Sequence, residues 1–390
     1  MTDKITGEYH GSRRPLFGLA LRTTLLTVLT LGLYRFWAKT RIRKYIWSSI
    51  AGDGDSFEYT GTGLEKLLGF LLALVVLALC LGVVQMVLFY FGLSLLDAAR
   101  ESTMLYFQFG AVAVAFLSIV PLIFFAQYRA RRYRLARSRW RGVRFGAEPG
   151  AWGYVLRAMG HWALSLVSLG LLLPRQTFYL EKFKTDRTWY GDARFRQGGT
   201  WWALYPAMKH SLIGVALMIV ALGLFGAGQV VNAAAFALLG FVWAAVGLVS
   251  YRVRSFVYLT AHKTLDGGIR FRATPETRTI VKKIVVGGLV LGLLGGVMLG
   301  ALGLVLMGLM EDGALPVGAT LLPMVAAYML ALAVIGALTL VWITQPIIAH
   351  VVATLKIENA GGLARIRQRA GDSGTDAEGF ADALDIGGGI

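Results

Sequence analysis

Long apolar runs alternate with short basic and aromatic connections along this chain, and the lengths of the runs predict helices that cross a membrane. The runs fall at about 16–37, 64–93, 106–128, 151–173, 208–230, 232–251, 284–308 and 315–349. Most reach the roughly 20 residues that cross a hydrocarbon core as an α-helix. Lipid offers the backbone no hydrogen-bond partner, so each run must satisfy its own amides and carbonyls by coiling. A stretch such as FGAVAVAFLSIVPLIFFAQY, beginning at Phe109, has no polar face to turn toward water. That argues against a large soluble helical protein.

The connections carry the topology. Lys39, Arg41, Arg43 and Lys44 follow the first run, a dense series from Arg129 to Arg144 follows the third, and the segments 174–206 and 251–283 are basic as well. Basic connections mark the cytoplasmic side, and Tyr34, Trp37, Tyr45 and Trp47 read as interface anchors. The connection at about 94–105 and the turn near Val231 are close to neutral, and Glu311 with Asp312 makes the last short turn external. The run 151–173 lies between two basic connections, so a single crossing would put one of them outside. The resolution favoured here is a re-entrant or interfacial segment, bent near Gly170 and stopped at Pro174. The run 16–37 reads the same way, with an early arginine in each (Arg22, Arg157) and a late Leu-Gly-Leu (Leu31–Leu33, Leu169–Leu171). Three membrane hairpins then leave both termini inside. The alternative is eight full crossings with one basic connection outside.

An internal repeat is legible in these connections. Arg41 and Arg43 precede Phe57 by the same intervals as Arg129 and Arg131 precede Phe145, with Gly54 and Gly142 in matching places. Looser copies run from Phe178 to Phe195 and from Tyr251 to Phe271, a fifth runs from Trp342 to Gly361, and Tyr9–Gly11 resembles the end of one more. Each copy predicts a helix end, a glycine turn and a short strand, and such strands are expected to pair because isolated ones are marginal. The expected fold is therefore an all-α polytopic membrane protein built from degenerate repeats, with short cytoplasmic β segments between helices. Its regions are a cytoplasmic N-terminal segment (1–15), three membrane repeat regions (16–128, 129–251, 252–350) and a cytoplasmic tail (351–390).

Composition changes the picture little. Hydrophobic residues make up 56% and charged residues only 16%, too few for a soluble exterior. The net charge of +17 is confined to the connections, which points to anionic lipid headgroups as partners and not to nucleic acid. No small-residue cleavage site follows the first run, so that run is expected to be retained. Cys80 is the lone cysteine and sits in an apolar run, so no disulfide or zinc cluster is expected.

Polar residues inside the runs are functional candidates because burying them is costly. They are Arg22, Gln85, Arg157, His161, His210, Gln229 and Asn232. Arg22 and Arg157 lie near helix starts and are expected to snorkel. Together with Arg41, Arg43, Arg129, Arg131 and His161 they form the candidate lipid or solute contacts. Gly288, Gly292, Gly296 and Gly300, four apart, predict a smooth face for helix packing, within the chain or in a homo-oligomer. Asp53 and Asp55 in GDGDSFEYTGTG fit turn chemistry better than a cation loop. No catalytic motif, metal-ligand spacing or cofactor fingerprint is present.

Tyr9-His-Gly11-Ser12, Leu16-Phe17-Gly18, LLTVLTLGLYRFWAKTRIRKYIW (Leu25–Trp47), DGDSFEYTGTGLEKLLGF (Asp53–Phe70) and the tail from Gly379 to Gly387 together resemble the YjgN-like bacterial inner-membrane family, the domain of unknown function 898. The segment 174–206 departs from the pattern by lacking the Arg-x-Arg pair. The resemblance implies an inner-membrane location and carries over no substrate and no site residues.

Three functions are weighed. The first is a transporter or channel for a small solute or lipid, since repeated membrane units and re-entrant segments line cavities elsewhere. The second is a non-transporting scaffold or lipid-interacting module acting through the basic inner face. The third, and least favoured, is a membrane-interface enzyme, which would need Asp53, Asp55, Asp266 and His262 to converge.

Overall fold

The structure is a computed structural model, and it describes residues 3–90, 102–311 and 317–369. In chain order the elements begin with β1 (Lys4–Tyr9), α1 (Arg13–Leu29), α2 (Arg35–Ser48), β2 (Ile50–Gly52) and β3 (Asp55–Tyr59). Next come α3 (Gly63–Tyr90), α4 (Ser102–Ala136), β4 (Ser138–Trp140), β5 (Val143–Ala147), α5 (Ala151–Val167) and α6 (Leu173–Thr185). They are followed by β6 (Thr188–Tyr190), β7 (Ala193–Gln197), α7 (Tyr205–Gly226), α8 (Val230–Ala261), β8 (Lys263–Leu265) and β9 (Ile269–Ala273). The last are α9 (Thr277–Glu311), α10 (Val317–Thr339), α11 (Gln345–Thr354) and β10 (Leu355–Glu358).

The strands overturn the all-α expectation. They form a closed antiparallel barrel in the order β1-β10-β9-β8-β7-β6-β5-β4-β3-β2. Closure depends on β1, whose first half pairs with the last strand (Lys4↔Glu358, Thr6↔Lys356) and whose second half pairs with β2 (Gly7↔Gly52, Tyr9↔Ile50). A ring has no unpaired edge to expose, which lets strands of three to six residues persist. The fold is thus a mixture of membrane-type helices and a β-barrel.

Each strand pair follows from a helix end. α2, α4, α6 and α8 each run into a short hairpin, and α11 runs into β10, whose missing hairpin partner is supplied by β1. One of the four hairpin turns has Gly191 alone at positive φ, and the other three are Asp53-Gly54, Arg141-Gly142 and Asp266-Gly267, with both residues of each at positive φ. That backbone matches the right-handed twist of the flanking strands, so Asp53 does serve turn chemistry.

Two compact units divide the chain, Met1–Glu58 with Phe195–Arg365 and Tyr59–Arg194 with Ile366–Ile390. In the first, α7 and α8 form the tightest helix pair. A Cβ on Gly214, Gly240 or Gly247 would collide with Ala244, Met218 or the backbone of His210 and Ser211 respectively, so these small residues let the two backbones approach. The expected seam on α9 is different. Gly288, Gly292, Gly296 and Gly300 have open space where a Cβ would stand, while Gly287 and Gly295 face Ile343 and Ile335. The last apolar run is also not one regular helix. A π-helical turn at Leu340–Thr344 joins α10 to α11, because Pro346 has no N–H for the carbonyl four residues back. In the second unit Tyr133 and Arg137 of α4 hold Glu65 of α3, at 2.6 Å and 2.9 Å, and Tyr190 of β6 donates to the Trp140 carbonyl at 2.8 Å.

Six helices are long and apolar enough to cross a membrane: Gly63–Tyr90, Val112–Ala136, Trp202–Gly226, Val230–Ala261, Thr277–Val305 and Pro323–Ala353. The runs 16–37 and 151–173 are not among them. Each breaks after a helix of 17 residues, about 25 Å at ~1.5 Å per residue, short of the ~30 Å hydrocarbon core. Asp312, much of the 94–105 connection and the tail motif from Gly379 lie outside the described residues.

Candidate membrane-interface site

Two helical hairpins stand apart from the six long helices. In the second unit, α5 carries Arg157, His161 and Ser165 at spacing four, which places them on one face. α6 returns beside it and meets them in reverse order. The Arg157 guanidinium lies over the Phe183 ring, 4.7 Å from its centroid. The His161 imidazole stacks on Tyr179 at 5.4 Å, and the Ser165 hydroxyl donates to Gln176 Oε1 at 2.6 Å. Arg175 sits over the same Tyr179 ring, 5.4 Å away. Burial first, and then the Arg175 charge, holds the His161 imidazole below its ordinary value.

The base of this hairpin is aromatic. Tyr154, Ala158, Leu180 and Phe183 pack with Tyr128 of α4 in one buried cluster, and burial pushes the Tyr154 hydroxyl up to about 12. The tip is bare and apolar. Leu169 is 92% exposed and Val167 85%, and Trp152, Leu156 and Leu166 extend that exposed surface along α5. The reversal uses Leu169 (φ 50°) and Gly170 (φ 86°). The Gly170 N–H donates to the Ser165 carbonyl at 2.7 Å, and the Leu172 N–H to Ser168 Oγ at 3.0 Å.

In the first unit, α1 and α2 turn in the same way. Leu31 (φ 49°) and Gly32 (φ 92°) make the reversal. The Gly32 N–H donates to the Thr27 carbonyl at 2.7 Å and the Tyr34 N–H to Thr30 Oγ1 at 2.9 Å. Leu31 is 96% exposed. At the base, Tyr45 Oη both donates to the Ser12 carbonyl and accepts from the Ser12 N–H, each at 2.9 Å. Apolar tips on helices too short to cross are suited to entering one leaflet from the headgroup side.

The sequence-derived residues distribute unevenly over these elements. Arg157 and His161 are brought together on the α5 seam. Arg22 is exposed on α1, and Arg41 lies over the Tyr34 ring at 5.6 Å. Arg43 is only 4% exposed and lies over the Trp47 ring at 6.0 Å. Arg129 lies over Phe125 at 5.6 Å, and Arg131 reaches Thr188 Oγ1 at 3.4 Å, so both serve the junction of helix and strands. Gln229 and Asn232 bond to one another at 3.0 Å and do not cap α8. Among the described residues no three His, Cys, Asp or Glu side chains gather as metal ligands. Ser165, Gln176, Arg175 and Tyr179 escaped the sequence reading, although the polar spacing 157, 161, 165 inside an apolar run was a usable signal.

The family described as "Bacterial protein of unknown function (DUF898)" matches residues 4–383. The chain is similar to "Inner membrane protein YjgN" of Escherichia coli O157:H7, 25% identical over 172 residues, covering 42% of this chain and 38% of that protein. It is likewise similar to the protein of the same name from Escherichia coli strain K12, at 26% identity with the same coverage. The match thus spans well under half the length of these relatives. No solved structure matches. With the match running through the barrel strands, both short hairpins and the six long helices, the chain belongs to the DUF898 family of bacterial proteins.

Proposed function

We propose that this is an inner-membrane, lipid-interacting protein whose two short hairpins are re-entrant, each entering one leaflet from the face that carries the barrel. The observation that carries the reading is the pair of matching hairpin tips, Leu31-Gly32 and Leu169-Gly170, both exposed and apolar on helices too short to span. The two tips, β2 and β6, and β3 and β7 are all separated by one constant interval, which supports an internal repeat behind the arrangement. Each of the three long helix pairs begins and ends at a barrel strand. With the basic connections this supports a cytoplasmic barrel and cytoplasmic termini. Exposed cations such as Arg22 and Arg157 then meet headgroups while the leucines meet acyl chains.

Transport is the competing reading, and the polar seam of Arg157, His161 and Ser165 favours it. A probe at the tip tests the primary reading. Leu169→Cys in a Cys80→Ala background, labelled with an environment-sensitive dye in liposomes, is expected to be quenched by lipids brominated within the chain and to resist impermeant maleimide from either side. Labelling of that cysteine from the face opposite the barrel would establish a full crossing and overturn the proposal. Solute flux lost on Ser165→Leu would favour transport instead.

A further inference from the structure

A cleft lies in the first unit, among α1, α9 and the π-helical turn. Its volume is about 590 Å³, within the size range of sites that hold small ligands. Its mouth is cationic. Arg13 from α1 and Lys282 and Lys283 from α9 all line it, and no lining residue is acidic. Its lower part is apolar, made by Val286, Val290 and Trp342. From Thr279 to Val290 the α9 side of the cleft extends about 16 Å at ~1.5 Å per residue, about half of a ~30 Å hydrocarbon core.

No acidic residue lines the mouth. α1 opens on Arg13 and Arg14, and α9 adds Lys282 and Lys283 in its second turn. Lys283 Nζ donates to the Pro346 carbonyl at 2.6 Å, which anchors the cation without neutralising it. Glu276 stands nearby, but its carboxylate accepts from Thr279 at 2.8 Å and is not part of the lining. Arg13 and Lys282 form no ion pair with a described carboxylate.

We infer that this cleft binds a phosphate-bearing anionic amphiphile. The phosphate sits among Arg13, Lys282 and Lys283, and one acyl chain lies along Val286 and Val290 against Trp342. Cations at the head and an apolar floor running into the depth of the bilayer match that chemistry and no soluble anion alone. The inference does not require the short hairpins to be re-entrant, so either idea can fail without the other.

The full chain, purified and titrated with phosphatidylglycerol or phosphatidylcholine, tests it by native mass spectrometry of retained lipid. Phosphatidylglycerol is expected to be retained in preference to phosphatidylcholine. Arg13→Gln with Lys282→Gln should weaken that retention about thirtyfold, the scale of two cations removed from an anionic surface. Val290→Trp should block retention by filling the acyl half. Arg270→Gln with Lys356→Gln removes the same charge from exposed strand positions and should leave retention unchanged. Thermal unfolding of each variant in detergent confirms that it is folded. Equal retention of the two lipids, an equal loss in the strand variant, or displacement of lipid by millimolar inorganic phosphate would overturn the assignment, the last by making the ligand a free anion.

Discussion

The hairpins α1–α2 and α5–α6 share a backbone and differ in where they put their polar groups. At the reversal the two coincide, with a leucine and a glycine in the left-handed region and the same pair of backbone and hydroxyl bonds. Along the helices they diverge. α1 carries Thr23, Thr24, Thr27 and Thr30, whose hydroxyls turn back onto carbonyls of their own helix at 2.7–2.8 Å. α5 instead directs His161 and Ser165 across to α6, while Arg157 lies over Phe183 and also donates to the Gly153 carbonyl of its own helix. Self-satisfied hydroxyls cost little in lipid, whereas cross-helix pairs specify one packing. The shared turn is therefore a structural device, and any difference in activity between the hairpins resides in the α5 seam.

The largest effect is expected where the hairpins agree. Gly32→Val and Gly170→Val each force a β-branched residue to a φ near 90°, and each should destabilise by about 2 kcal/mol. The checking measurement is denaturant titration in mixed micelles. Markedly unequal losses would break the equivalence of the two turns.

A smaller effect sharpens the contrast. Ser165→Ala leaves Gln176 Oε1 without its donor and is expected to cost about 1 kcal/mol. Thr24→Val removes only a bond internal to α1 and should change stability by less than about 0.5 kcal/mol. A double-mutant cycle over Ser165 and Gln176 measures the coupling directly, and a value near zero would remove the seam as a specifying contact.

The smallest effect concerns pH. The unfolded chain protonates histidine near ~6.5, while folding holds His161 lower through burial and the Arg175 charge. The unfolded state thus binds more protons below that value, so the stability present above about pH 6.5 is lost as the pH falls toward the folded-state value. Melting temperatures from pH 7.5 to 5 should decline more steeply in the native chain than in His161→Phe. Parallel declines would show that His161 does not contribute.

Much of this was legible in the residues. The bend at Gly170 was read from the basic connections on both sides of a single run, and the backbone does reverse there, at Leu169 and Gly170. The glycine turns after α2 and α4 were legible because Arg41, Gly54 and Phe57 recur in register as Arg129, Gly142 and Phe145. The barrel was not. Strands such as Thr188–Tyr190 are too short to show an alternating pattern, and their pairing is decided by neighbours far away in the chain. Spacing on α9 identifies a smooth face, but packing decides which glycines meet a neighbour within the chain, and there Gly287 and Gly295 make the contacts.

By itself the sequence determined the chain's solvent, its helices and the residues of its turns, because all of these follow from local transfer energies and local backbone preferences. The tertiary structure alone decided that Lys4–Tyr9 closes a ring against Leu355–Glu358 and that Arg13 shares a cleft with Lys282, Lys283 and Trp342. Those arrangements join residues hundreds of positions apart. They are selected by whether every backbone amide and buried charge finds a partner at once, and that condition is written in no single segment.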